Sequence, residues 1–279
     1  MSGDAADARF GEPRVLQSGG RDPGTGNRLL LYRIGGRPAL LKLYRRRRAA
    51  WREPVKRFSY RFIEARRGVT ARQRRDLERS NLALWRDQGF DVPALLAHPL
   101  PPDLAGEVAL WLEYCPGPLL SAVLADRERA LAERTGCVER FARELARRQQ
   151  RALELGERRL VMSHASAKHV LIHGDRQVSF DLETSYAPGY PMLDALALEL
   201  AGCLRSVLRE APDDRAALGA AFVRGYGDDA FLERLARHGL LGGGLRQRVK
   251  RASDARRRPA LSEGDALRWL VAAQAARRG

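Results

Sequence analysis

Cysteine is scarce in this chain: three residues in 279, Cys115, Cys137 and Cys203. They are odd in number, far apart and set in apolar or helical surroundings, which argues against a disulfide framework or a cysteine-based zinc site and for a reducing, cytosolic compartment. Long apolar runs are lacking too. No stretch approaches the roughly 18 apolar residues that span a bilayer, and the opening MSGDAADARFGEP has no apolar signal core. The expected location is therefore cytoplasmic, peripheral on the inner membrane at most. Acidic residues are in deficit: 34 Asp and Glu against 50 Lys and Arg leave a net charge of +16 and a pI near 10.8. Such a balance favours anionic partners. Arg vastly outnumbers Lys and Ala is abundant, however, and genomic base composition alone produces that pattern. Part of the excess is local: residues 45–75 hold 13 basic residues and two acidic ones, Glu53 and Glu64, interleaved with Trp51, Phe58, Tyr60 and Phe62. A block of this kind suits phosphates on a membrane surface or a nucleic acid.

What is present is an ordinary apolar fraction, 44%, enough for one two-lobed domain at this length. Residues 14–17, 28–33 and 39–44 alternate like strands, separated by the turns SGGRDPGTGN and Gly35-Gly36, and predict a three-stranded antiparallel meander. Helical spacing follows over 71–88, closed by Gly89 before Val92-Pro93. An apolar strand at 106–114 breaks at Cys115-Pro116-Gly117. Helices are expected at about 118–133 and 135–155. Val170-Leu171-Ile172 and Gln177-Val178-Ser179-Phe180 then form a hairpin with Asp181 at its end. Beyond Pro191 the spacing is helical at 194–208, 213–226, 229–238 and 263–276, with a basic connection, GGGLRQRVKRASDARRRP, before the last. The expected organisation is residues 1–115 and 116–279.

Lys42 in LLKLYR and Glu78 in ERSNLALWRDQGFDVP supply a cation that can reach two phosphates and a carboxylate that can hold it. Together with the element order they resemble the Lys and Glu pair of protein-kinase-like enzymes. The interval from Glu78 to Gly89 and Pro93 is similar to the E(x10)G(x3)P run of bacterial sugar and small-molecule kinases. The resemblance implies an α+β, two-lobed protein-kinase-like fold, with a small antiparallel-sheet N-lobe carrying one main helix and a mostly helical C-lobe. It also implies ATP and Mg2+ as cofactors. Glu113 and Cys115, in EYCPG, resemble a hinge whose backbone pairs with adenine. Val178-Ser179-Phe180-Asp181-Leu182-Glu183 resembles the strand and metal-binding Asp of the DFG region, with Glu183 replacing the glycine. Aligning 170–172 with the strand after a catalytic loop puts His169 at the metal-binding Asn position and His164 at the catalytic Asp position. This looks like the lipopolysaccharide core heptose kinases, over roughly residues 28–208. Lys168 in the same loop is placed to contact the transferring phosphate. Asp194 resembles the aspartate that braces the catalytic loop, and read by itself is an N-cap.

His173-Gly174-Asp175 spells the HGD of aminoglycoside phosphotransferases. Asp175 nevertheless lies only six residues before Asp181, too few for a loop and a return strand, so HGDR reads as a hairpin turn. His164, His169 and His173 lack a fourth ligand at tetrahedral zinc spacing. Where kinases keep their Asp this chain has His164, or Ser166 in an alternative frame. A neutral imidazole can accept a proton, but loss of the Asp more often signals weak or absent transfer. Three functions stay open. The first is a phosphotransferase acting on a sugar or lipid-linked glycan at the cytoplasmic membrane face, drawn there by residues such as Arg45 to Arg48. The second is a pseudokinase, a nucleotide-binding or purely structural module regulating a partner protein in envelope biogenesis. The third, a nucleic-acid binder, rests on charge alone with no base-reading motif beside it.

Overall fold

The computed structural model describes residues 10–18, 26–45, 66–67, 70–241 and 261–278. Most of the glycine-rich turn, most of the basic block and the basic connection at 242–259 lie outside the described residues. The chain divides into two units: Met1–Cys115 with Asp181–Thr184, and Pro116–Phe180 with Ser185–Gly279.

In the first unit β1 (Arg14–Gln17), β2 (Arg28–Ile34) and β3 (Arg37–Leu43) form the expected meander. Gly35 and Gly36, at φ 58° and 79°, close the β2–β3 hairpin, because a two-residue hairpin turn of matching twist needs left-handed backbone at both positions. The meander is only part of the sheet. The apolar strand at β5 (Ala109–Glu113) pairs antiparallel with β3, and a short β4 (Leu95–Leu96) flanks it, giving the order β1-β2-β3-β5-β4. Period-2 alternation sends Leu30, Tyr32, Ala39, Leu41 and Leu43 into a core with Leu104 and Trp111. The rings of Tyr32 and Trp111 meet edge to face at 5.3 Å. That same alternation puts Lys42 on the opposite face from Leu41 and Leu43.

Helix α1 (Ala71–Asp87) starts at a reciprocal cap, in which Thr70 Oγ1 accepts from the Gln73 amide and Gln73 Oε1 accepts from the Thr70 amide, both at 3.2 Å. Gly89, at φ 74°, ends the turn that follows. The helix buries Arg74, Glu78, Asn81, Leu82 and Trp85, so part of its inward stripe is polar.

The second unit holds α2 (Leu120–Ala125), α3 (Leu131–Leu155), the hairpin β6 (Val170–His173) and β7 (Arg176–Ser179), then α4 (Met192–Glu210), α5 (Arg215–Tyr226), α6 (Asp229–Leu241) and α7 (Glu263–Arg278). The helix expected at 118–133 stops at Ala125, because the Asp126 carboxylate accepts from the Glu128 amide at 3.1 Å and turns the chain. His173-Gly174-Asp175-Arg176 is a hairpin turn, with His173 opposite Arg176. Helix α4 is the centre of this unit, buried along most of its length. Gly225 lets α5 approach α3 closely: a Cβ there would lie 2.3 Å from the Glu139 carbonyl oxygen. Cys115, Cys137 and Cys203 are all buried and outside any disulfide. Among the described residues no helix is long and apolar enough to cross a membrane.

Candidate functional site

The first unit brings Lys42, Glu78 and Asp181 together. Lys42 Nζ donates to Glu78 Oε2 at 2.7 Å and to Asp181 Oδ1 at 2.8 Å. β3 presents the ammonium, α1 presents Glu78 one helical turn after Arg74, and the chain leaving the β6–β7 hairpin presents Asp181. Tyr44, two residues past Lys42, donates its hydroxyl to Glu78 Oε2 at 2.6 Å. Burial pulls the Lys42 pKa down, but Asp181, Glu78 and Glu183 outweigh it and hold the ammonium above its ordinary value. Burial pushes Glu78 up, against the pull of Lys42. Asp181 has φ 65°, the one non-glycine residue in left-handed backbone among those described. Strain of this kind persists where surrounding contacts over-determine it, and it concentrates at functional sites.

Two further charges belong to the cluster. Glu183 is buried, accepts from Asn27 Nδ2 at 2.6 Å, and takes Arg74 Nη1 at 3.2 and 3.3 Å. Its Oε2 is also 3.5 Å from Lys42 Nζ. Arg74 reaches Asn27 Oδ1 at 2.7 Å and the Arg45 carbonyl oxygen as well. Three carboxylates against Lys42 and Arg74 leave one surplus negative charge, and oxygens of Glu78, Asp181 and Glu183 all lie within 4.8 Å of one another. Hard oxygen donors with a net negative charge fit a hard divalent cation such as Mg2+. Asp181 is the most exposed of the three side chains, at 27%, against 2% for Glu78 and 5% for Glu183, and so the one best able to offer an oxygen to a ligand.

The remaining candidates sit apart in the sequence. Glu113 ends β5; its amide donates to the Ala94 carbonyl at 2.8 Å, and its carboxylate takes the Ala94 amide at 2.9 Å. Cys115 follows, buried. In the second unit His164, Lys168 and His169 occupy one loop. His169 Nδ1 lies 3.0 Å from the His164 carbonyl oxygen. A carbonyl only accepts, so Nδ1 carries the proton of this bond. The two imidazole rings meet edge to face at 5.0 Å. Lys168 is exposed in the short turn Ala167–His169.

The brace on this loop differs from the sequence expectation. Asp194 is not the N-cap of α4, a place held by Pro191, and its carboxylate lies 2.6 Å from His238 Nε2. Glu199 does the bracing, accepting the Met162 amide at 2.6 Å, Arg148 Nη1 at 2.5 Å and Gln149 Nε2 at 3.0 Å. Ser206 Oγ takes the Ala167 amide at 2.8 Å. Between them Gly202 admits the loop: a Cβ there would lie 2.8 Å from the Ala165 carbonyl oxygen. Glu199, Ser206, Arg74 and Asn27 carry no role in the sequence reading, and Glu183 enters it only as the residue in place of a glycine. The signals were faint but present: isolated polar residues in the apolar α4, and Arg74, Glu78 and Asn81 at helical spacing.

An antiparallel five-stranded sheet carrying an inward Lys, the helix that returns a Glu to it, and a mostly helical remainder whose β-hairpin leads to an Asp on the same Lys define a protein-kinase-like fold. No protein-family model and no curated protein matches the chain. Among solved structures it is similar to a protein of Haemophilus somnus 129PT that carries the provisional description of a fructosamine-3-kinase, at 11% identity and a TM-score of 0.39, over 95% of this chain and 91% of that one.

Proposed function

We propose that the protein is an ATP-dependent phosphotransferase with an alcohol acceptor, of the kind found in lipopolysaccharide core kinases, acting on a sugar or lipid-linked glycan at the cytoplasmic membrane face. The observation that carries this reading is Lys42 Nζ shared between Glu78 and Asp181 at 2.7 and 2.8 Å. In this reading Lys42 binds nucleotide phosphates, Glu78 and Tyr44 fix Lys42, and Asp181 with His169 holds Mg2+. Glu113 and Cys115 offer backbone groups to the adenine edge. The metal would neutralise charge on the phosphates. His164 is the candidate base for the acceptor hydroxyl, and Lys168 the candidate contact to the transferring group. The basic surplus would draw the protein to anionic headgroups, each basic residue near the surface adding about 1 kcal/mol.

A second reading keeps the nucleotide site and drops the transfer. It is favoured by the loop itself: VMSHASAKH, residues 161–169, contains no carboxylate. The protein would then be a pseudokinase acting through a partner protein. Calorimetric titration with Mg2+ and ATP tests what both readings share; absence of binding by the wild type would sink them together. Transfer of labelled phosphate from ATP to extracted lipopolysaccharide separates them. The enzyme reading expects transfer that His164→Ala reduces by about 100-fold or more, whereas nucleotide binding without transfer to any glycan acceptor favours the pseudokinase.

A further inference from the structure

Helix α1 meets the Asp181 segment along one stripe. Arg74, Glu78 and Asn81 stand at i, i+4 and i+7, one face of a helix, and are 1%, 2% and 2% exposed. A buried stripe of this kind is normally apolar. Here each member serves one residue of the segment: Glu78 shares Lys42 with Asp181, Asn81 Nδ2 donates to the Leu182 carbonyl at 2.8 Å, and Arg74 pairs with Glu183.

Within the segment, Glu183 is the residue whose charge is unexpected. A small residue at this point in the chain would leave Lys42 to Glu78 and Asp181. A buried carboxylate 3.5 Å from Lys42 Nζ is instead a third claimant on the ammonium. Arg74 and Asn27 hold it on its other side, with Arg74 also tied to Asn27 at 2.7 Å. Remove Arg74 and, among the described residues, Lys42 is the cation still in reach of this buried carboxylate, with Asn27 still donating to it; a buried carboxylate that loses one cation leans on the one left within reach.

We propose that Arg74 and Glu183 are a positioning pair. Resting on the nucleotide-site reading, the pair keeps Lys42 available to phosphates and anchors the backbone that holds Asp181 in its left-handed conformation. Arg74 acts through Glu183 and touches no ligand. Because Asn27 closes the glycine-rich turn, the same pair also ties the end of that turn to α1.

The test is calorimetric titration of the full chain with Mg2+ and ATP, in the wild type, Arg74→Met, Glu183→Gln and the double variant. Arg74→Met is expected to weaken binding about tenfold or more, because Glu183 then competes for Lys42. Adding Glu183→Gln to it removes the competitor and is expected to restore affinity to within about threefold of Glu183→Gln alone. A merely structural role moves stability alone: urea denaturation would show Arg74→Met destabilised while the affinity of the folded variant stayed within about threefold of the wild type. Should Arg74→Met fail to fold, the double variant must still fold and bind like Glu183→Gln, or the pairing is wrong. A wild type that binds no Mg2+ and ATP overturns the nucleotide-site reading and the pairing with it. A wild type that binds, beside a double variant that does not recover, overturns the pairing alone.

Discussion

Lys42 concentrates the energetics of the first unit in one side chain. It is 5% exposed and touches carboxylates at 2.7, 2.8 and 3.5 Å, with its ammonium 5.3 Å from the centre of the Tyr44 ring. Replacing it with Met leaves buried carboxylates short of a cation, and urea denaturation is expected to show a loss of roughly 3–5 kcal/mol. The pH dependence has a definite sign. The folded-state pKa of Lys42 lies above its ordinary 10.5, so its contribution is fully present below 10.5 and is lost only as pH rises through the folded-state value. The gap between wild type and Lys42→Met should therefore stay constant through neutral pH and close only in strong alkali. A gap that opened or closed between about pH 6 and 9 would mean that another group, titrating in that range, controls the cluster.

Element by element, caps and stripes decide what could be read ahead of the structure. Helix α7 begins with a reciprocal cap like that of α1. Asp265 Oδ2 accepts the Ser262 amide at 2.8 Å and its hydroxyl at 2.7 Å, while the Asp265 amide donates to Ser262 Oγ at 3.1 Å. These bonds, with Arg268, lower the Asp265 pKa from 3.8 to about 2. A depressed carboxylate stabilises the fold above its ordinary value and ceases to as pH falls through the folded one. Asp265→Ala should cost about 1 kcal/mol at neutral pH, shrinking between pH 3.8 and 2 and gone below that, as acid-titrated thermal melts would reveal. Sequence spacing finds most helices and strands because alternation and stop residues are local: Gly89 marks the end of α1 and Gly35-Gly36 the hairpin, whereas the turn at Asp126 interrupts a helix expected to run over 118–133. Lys42, Glu78 and Asp181 stand out in the sequence because each sits at a fixed place on such an element. Spacing misses the pairing of β5 with β3, the Arg74–Glu183 pair and the Glu199 brace because these depend on which buried charges meet across distant parts of the chain. Arg74 was lost in a basic block, and Glu183 counted only as a missing glycine.

At the scale of the whole molecule, stability in the helical unit runs through Glu199. It is 1% exposed and joins Arg148, Gln149 and the loop at Met162, while Gln149 in turn accepts the Tyr226 hydroxyl at 2.7 Å. Glu199→Ala would strand a buried guanidinium and is expected to lower global stability by roughly 3–5 kcal/mol; Glu199→Ala paired with Arg148→Met should recover much of that in chemical denaturation. The three cysteines supply a reporter already built into the chain. Cys115 belongs to the first unit, Cys137 and Cys203 to the second, and all are buried thiols outside any disulfide. Burial raises the pKa of the Cys137 and Cys203 thiols, which suppresses reactive thiolate while the fold is closed. A thiol reagent should therefore modify each cysteine only when its own unit opens, and mass spectrometry of the modified peptides would time the two openings separately. Equal rates for Cys115 and Cys203 would describe a chain that unfolds as a whole; faster modification of Cys115, reversed by nucleotide, would identify the strand-rich unit as the one that breathes.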